Sequence, residues 1–211
     1  MKIVVFDTET TGLDAEKDEL LQFSACDYDG NVLLNTYIKP TRAKSWPGAE
    51  AVNHISPEMV KDAPTLEAVK DKIRGIMSSA DVLVAYNAKF DLGFLAPVFV
   101  PEAKQHQIDV MLIFAKFWGA WSDYFQDWKW QTLSTAAAYY GFEFAAHDSM
   151  QDVFATLHVL KCMCTDKNRR LAACRISKND PYNLEADKKY IADIIAGRDP
   201  GKGLYDLDIL F

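Results

Sequence analysis

The chain has 211 residues, 49% of them apolar, enough to bury one sizeable core with a small appendage but not two full domains. A formal net charge of −7 argues against a broad duplex-binding surface, because sequence-independent affinity for nucleic acid comes mainly from neutralised phosphates, though it does not exclude an enzyme gripping one strand end where bound metal ions supply positive charge. Nothing at the N-terminus reads as a signal peptide and no apolar run is long enough to span a bilayer. The expectation is therefore a soluble cytoplasmic protein, with Cys26, Cys162, Cys164 and Cys174 as reduced thiols.

In chain order, Ile3–Phe6 is a continuous apolar run of the kind found in a strand buried on both faces, and it ends in Asp7-Thr8-Glu9 and a Gly-containing turn. Side chains alternate along a strand, so Asp7 and Glu9 point to the same side. Two carboxylates side by side at a partly buried strand end cannot both ionise cheaply unless a cation lies between them, and oxygen ligands suit Mg²⁺ or Mn²⁺. After the acidic link Asp14–Glu19, Leu21, Phe23 and Ala25 alternate with Gln22, Ser24 and Cys26 as in a half-buried strand. Asp29-Gly30 then forms a hairpin turn into a strand over Val32–Lys39. Pro40–Ser56 reads as a long loop crossing the sheet edge. From Thr65, the apolar positions Leu66, Val69, Ile73, Ile76 and Met77 keep helical spacing, and Val82–Tyr86 is another buried strand. Strand, hairpin, helix and strand indicate an α/β layer fold.

Asn87-Ala88-Lys89-Phe90-Asp91 follows that strand directly and places Asp91 one turn into a helix on the rim where α/β proteins hold their sites. Asp91 either joins Asp7 and Glu9 or simply complements the helix dipole. Residues 113–130 are unusually aromatic, with core and interface packing as the default account and a stacking platform for unpaired bases as the sharper one. Leu133, Ala136, Ala137 and Tyr140 are helically spaced, with Gly141 placed to end that helix. Asp148 with Gln151, or Ser149 with Asp152, makes a capping-box-like start to a helix near 149. Asp152 then lies in the first turn and His147 in the loop before it, from where both can reach one centre. His54, His106 and His158 read as surface residues. Cys162 and Cys164 have no second matched pair, which argues against a structural metal site there. Beyond Thr165, Asn183 is expected to cap a short helix bearing Tyr190, Ile191, Ile194 and Ile195 and stopped by Gly197. The Gly-Lys within 197–203 lacks P-loop spacing, and the tail Leu204–Phe211 is apolar at its end.

Taken together, Phe6-Asp7-Thr8-Glu9-Thr10-Thr11-Gly12, Asn87-Ala88-Lys89-Phe90-Asp91 and His147-x-x-x-x-Asp152 resemble the three exonuclease motifs of the DEDDh family, in that family's order and roughly its spacing. The group contains the proofreading subunit of bacterial replicative DNA polymerase, RNase T and exonuclease X. The resemblance covers about residues 1–165, an exonuclease domain, and leaves 166–211 as a C-terminal extension. It implies an RNase H-like fold, α/β with a five-stranded mixed sheet flanked by helices. It also implies that Asp7, Glu9, Asp91 and Asp152 bind two Mg²⁺ or Mn²⁺ ions, with His147 as general base. Thr8, Thr10, Gly12, Leu13, Asn87 and Phe90 match positions that line the terminal-nucleotide pocket in relatives. Asn53 is carried over more loosely, because Asn53-His54-Ile55 stands where many relatives have His-Gly-Ile. The expected partner is the 3′ end of single-stranded nucleic acid, DNA in preference to RNA, with release of nucleoside 5′-monophosphates. An RNA-trimming nuclease is the alternative within the enzyme class. From a different class comes a module that docks on a polymerase through its aromatic stretch or its tail.

Overall fold

The structure is a computed structural model and describes residues 1–165 together with Ala192, Asp193 and Ala196. Apart from those three positions, the segment 166–211 lies outside the described residues. That includes Cys174, the expected helix after Asn183 and the apolar tail.

Five strands form one mixed sheet: β1 (Ile3–Thr10), β2 (Leu20–Asp27), β3 (Val32–Tyr37), β4 (Val82–Ala85) and β5 (His106–Asp109). Their order is β3-β2-β1-β4-β5, with β3, β2 and β1 antiparallel and β4 and β5 parallel to β1. The apolar run that opens the chain is thus the central strand. Its two faces serve two cores, as the alternation of a fully buried strand requires. Val4 and Phe6 pack with Ile73 and Met77 of α3 (Leu66–Ser78) and with Leu92 and Leu95 of α4 (Ala88–Leu95). Ile3 and Val5 pack with Ile113 and Phe114 of α5 (Val110–Trp118), Ala136 and Ala137 of α6 (Leu133–Tyr139), and Val153 and Leu157 of α7 (Ser149–Thr165).

Several local expectations differ from what is observed. Pro40–Ser56 carries a helix, α1 (Pro47–Asn53), ahead of the single turn α2 (Pro57–Val60). Pro47 at the first position presets the helical φ, but the residue before it is Trp46, which caps nothing and instead buries its ring and donates Nε1–H to Ile55 O at 2.6 Å. β2 is buried on both faces and not on one, because α7 covers the side carrying Cys26. The polar members on that side, Gln22 and Ser24, donate to Asn35 Oδ1 at 3.0 and 3.1 Å. β5 gave no clear strand signal; it is a four-residue edge strand. His158 is half-buried, stacked on Phe142 with 4.7 Å between ring centroids, where a surface position was expected. The aromatic stretch divides: Phe114 is core, whereas β6 (Trp121–Ser122) and β7 (Asp127–Trp128) form a separate two-stranded ribbon carrying exposed rings. His106, also expected at the surface, is half-buried at the start of β5, and the strands expected over Val32–Lys39 and Val82–Tyr86 end at Tyr37 and Ala85. Sequence and structure agree at the hairpin turn with Gly30 at φ 94° and at the helix end with Gly141 at φ 72°.

Asp109 ties two helix starts to the sheet. Its carboxylate accepts from Ala88 N–H at 2.9 Å, at the head of α4, and from Leu112 N–H at 3.1 Å, in the first turn of α5. The side chain is buried, so no water can replace those acceptors. Asp109→Ala is expected to destabilise the fold by about 2 kcal/mol in urea unfolding, the sum of a lost cap and a stranded buried donor.

Candidate active site

Strand alternation decides where the first motif points. Asp7 and Glu9 continue the face of Ile3 and Val5, toward α7, while Thr8 continues the face of Phe6, toward α4. The β1–β2 register shifts between Glu9 and Thr10, a bulge at the carboxylate end of the strand. Thr8 then reaches Asp91 through two bonds, donating its backbone N–H at 2.9 Å and its hydroxyl at 2.7 Å to the same Oδ1. Asp91 is buried, in the first turn of α4, whose cap residue Asn87 adopts a left-handed φ of 75°. The position of Asp91 thus rests on a specific tie to the first motif and not on the helix dipole alone.

From the other side, Asp148 Oδ1 accepts from Met150 and Gln151 N–H at 3.1 Å and starts α7. Of the two capping arrangements, the one with Asp148 forms. Ser149 is freed to donate to Asp7 O at 3.1 Å, which fastens the head of α7 to β1. His147, at φ 69°, donates its backbone N–H to both oxygens of Asp152 at 3.3 Å. One ligand atom each from Glu9, His147 and Asp152 lie within 4.8 Å of one another.

These groups line one groove of about 460 Å³. It contains Asp7, Glu9, Asp91, His147 and Asp152 and, of the other expected residues, Thr8, Asn87 and Phe90. Thr10, Gly12, Leu13 and Asn53 do not line it. Thr10 and Gly12 shape the neighbouring turn: Thr10 Oγ1 donates to Gly12 O at 2.5 Å, and a Cβ on Gly12 would meet Asp18 Oδ2 at 2.3 Å. Leu13 stands 87% exposed beside that turn. Asn53 is buried, donates Nδ2–H to Thr10 O at 3.1 Å and accepts from Ile55 N–H at 3.1 Å, and its side chain also hydrogen-bonds Glu9, opposing the rise of that carboxyl. Sequence reasoning missed Tyr86, Met111, Gln131, Thr132 and Leu133, which complete the groove, and named Trp130 only as one of the aromatic stretch. Tyr86 Oη donates to Gln131 O at 2.8 Å and so holds that wall against the end of β4. Nothing in the local sequence marks Gln131 to Leu133, which arrive through tertiary packing.

The electrostatics follow from this crowding. Burial, then the charges of Asp91, Asp152 and Glu9, push the Asp7 carboxyl far above the usual carboxylate range. Burial and Asp152 raise Glu9 to about 8, and burial raises Asp91 and Asp152 to about 7, against the hydrogen bonds from Thr8 and His147. Asp7 Oδ2 is buried without a hydrogen-bond partner. An orphaned carboxylate oxygen among three further acids fits a divalent cation, whose charge would remove both the repulsion and the orphan.

The exonuclease family profile matches residues 4–160. The chain is 42% identical to the DNA polymerase III epsilon subunit of Treponema pallidum over 94 residues, 43% of this chain and 42% of that one. It is 30% identical over 172 residues to the PolC-type DNA polymerase III of Bacillus subtilis, covering 77% of this chain and 11% of the polymerase. It is also 28% identical over 173 residues to an exonuclease of Escherichia phage 186, covering 76% of this chain and 87% of the phage protein. Among solved structures, Escherichia coli exonuclease I in its zinc-bound complex with single-stranded DNA superposes with a TM-score of 0.66 at 21% identity. That match covers 79% of this chain and 41% of exonuclease I, and it makes the fold RNase H-like.

Two outcomes test the site. A carboxyl with a raised folded-state pKa holds its proton more tightly when folded, so stability falls as pH rises through that value. The metal-free Tm is expected to drop between about pH 5 and about pH 8, and Mg²⁺ or Mn²⁺ to restore it most at the upper end, where the acids are ionised. A metal-free Tm that climbs across this window would argue against the buried acid cluster. Thr8→Val keeps the shape but removes the hydroxyl bond to Asp91; metal affinity in a titration is expected to fall about 10-fold.

With the profile spanning the sheet and all three motif segments, the chain belongs to the exonuclease family.

Proposed function

We propose that this protein removes nucleotides one at a time from the 3′ end of a single strand, DNA in preference to RNA, releasing nucleoside 5′-monophosphates. The observation that carries the reading is the composition of the groove: Asp7, Glu9, Asp91, Asp152 and His147 share its lining with the apolar side chains of Phe90, Met111, Trp130 and Leu133. A terminal nucleotide has the matching polarity, with an anionic phosphate on one side and an aromatic base on the other. The epsilon and PolC relatives belong to DNA polymerases, and the exonuclease I structure holds single-stranded DNA, which favours DNA as substrate.

Asp7, Glu9, Asp91 and Asp152 would hold two divalent ions, Mg²⁺ or Mn²⁺. When bound, such ions lower the pKa of water and neutralise charge on the attacking and leaving oxygens. His147 takes the proton from the attacking water, imidazole being the side chain that exchanges protons near neutral pH. Its backbone tie to Asp152 holds the loop that carries it over the acids. Phe90, tilted against Phe94 at 5.0 Å between centroids, offers a fixed ring to the terminal base, and Thr8 keeps Asp91 turned inward. Thr10, Gly12 and Leu13 shape the turn beside the groove, Asn53 holds the backbone of Thr10, and Asn87 lines the groove at the head of α4. Residues 1–165 are read as the exonuclease unit and 166–211 as an extension that, with the polymerase relatives, points to a polymerase partner. Among the described residues no helix is long and apolar enough to cross a membrane, and Cys26 and Cys164 are free thiols, which suits the cytoplasm.

A 5′-labelled single-stranded DNA incubated with Mn²⁺ is expected to shorten from its 3′ end. Asp7→Ala should slow this by more than the roughly 100-fold that loss of an outer partner of a metal ligand costs. A strand left intact by both proteins, or RNA degraded much faster than DNA, would overturn the reading in whole or in its choice of sugar.

A further inference from the structure

Every exposed aromatic side chain among the described residues falls between positions 118 and 130: Trp118, Trp121, Tyr124, Phe125 and Trp130. They are not a collapsed cluster. Trp118 roots the segment, packed on Phe114 and Tyr139 with 6.0 Å between centroids in each case. The β6–β7 ribbon follows, with Trp121 and Trp128 edge to face at 5.2 Å across it, and is closed by Lys129 N–H donating to Ala120 O at 2.7 Å. Tyr124 and Phe125 cap its tip at 87% and 76% exposure, set at right angles with 4.8 Å between rings. The returning strand delivers Trp130, 60% exposed, into the wall of the catalytic groove.

We propose that this ribbon is a base-stacking track for the unpaired nucleotides upstream of the one being removed, an inference that rests on the exonuclease reading above. Continuity with the groove fixes the occupant: a strand whose last nucleotide lies against Trp130 and Phe90 has its preceding nucleotides beside the ribbon. The composition agrees. The exposed apolar side chains of the ribbon are all aromatic, and aromatic faces hold bases of any sequence. The ionic side chains of 116–130 are Lys116, Asp123, Asp127 and Lys129, whose formal charges cancel. The ribbon therefore offers little net attraction to phosphates and has to hold the strand by its bases.

The test uses the full chain with Asp7→Asn, so that bound strand is not shortened, and follows the anisotropy of a labelled thymidine oligomer of about 16 nucleotides, the upper end of single-strand site sizes. Adding Tyr124→Ala and Phe125→Ala is expected to weaken binding about fivefold or more. An oligomer of equal length with abasic spacers should bind poorly, and affinity should depend only weakly on salt. Equal affinity with and without the two rings, or an abasic strand bound as tightly as thymidine, overturns the proposal. Both rings are exposed, so their truncation removes no core packing, and an unchanged Tm verifies this. Quenching of tryptophan emission when the oligomer is added to the Asp7→Asn chain is a readout free of the ribbon substitutions, and its absence also overturns the track. The exonuclease reading fails separately, if the unsubstituted chain leaves DNA and RNA strands intact with Mn²⁺ while the anisotropy still reports on the ribbon.

Discussion

Four carboxylates are held within one groove at the end of a buried strand, and most of what surrounds them exists to keep them there against their own repulsion. Placing ionised acids together in a poorly hydrated site is among the costlier arrangements available to a fold. The raised carboxyl pKa values and the orphaned oxygen of Asp7 express that cost directly. The compensating ties come from three distant segments. Thr8 holds Asp91, Ser149 fastens α7 to the carbonyl of Asp7, and the His147 backbone holds Asp152. The first two ties join residues far apart in sequence, so the site forms only when the sheet and both helical layers are in place.

That arrangement makes the protein's negative charge intelligible. A nuclease that bound its substrate by basic side chains would need a cationic surface, whereas here positive charge at the reacting centre would come with the divalent ions. In the proposed reading the remaining recognition falls to shape and stacking. Phe90, Met111, Leu133 and Trp130 add apolar surface to the groove, and Trp130 follows β7 of the aromatic ribbon closely in the chain. In the proposed reading, acidic side chains take the phosphate of a nucleotide and aromatic ones its base.

The centre of the fold was legible because its signals are local and strong. An apolar run stopping at Asp7 and Glu9, a Gly-containing hairpin turn and a helix starting at Asp148 each express a periodicity or a cap that short-range sterics impose. The misread segments lack such signals. The helix at Pro47–Asn53 begins after Trp46, a residue that caps nothing, and β5 is too short for its alternation to register. β2 alternates as a half-buried strand does, yet α7 closes over its polar side, and Asn35 from the neighbouring strand satisfies Gln22 and Ser24.

By itself the sequence determined the residue types of the chemistry, their order and the elements that carry them, because a strand's period of two puts Asp7 beside Glu9 and a capped helix puts Asp152 in its first turn. Only the tertiary structure decided which of these side chains meet and what faces them. The hydroxyl of Thr8 turned to Asp91, the wall from Gln131 to Leu133 pinned by Tyr86, and the removal of Thr10, Gly12, Leu13 and Asn53 from the groove lining all depend on contacts between segments. Such contacts are set by how layers pack, and packing between distant segments leaves no periodic trace in the chain.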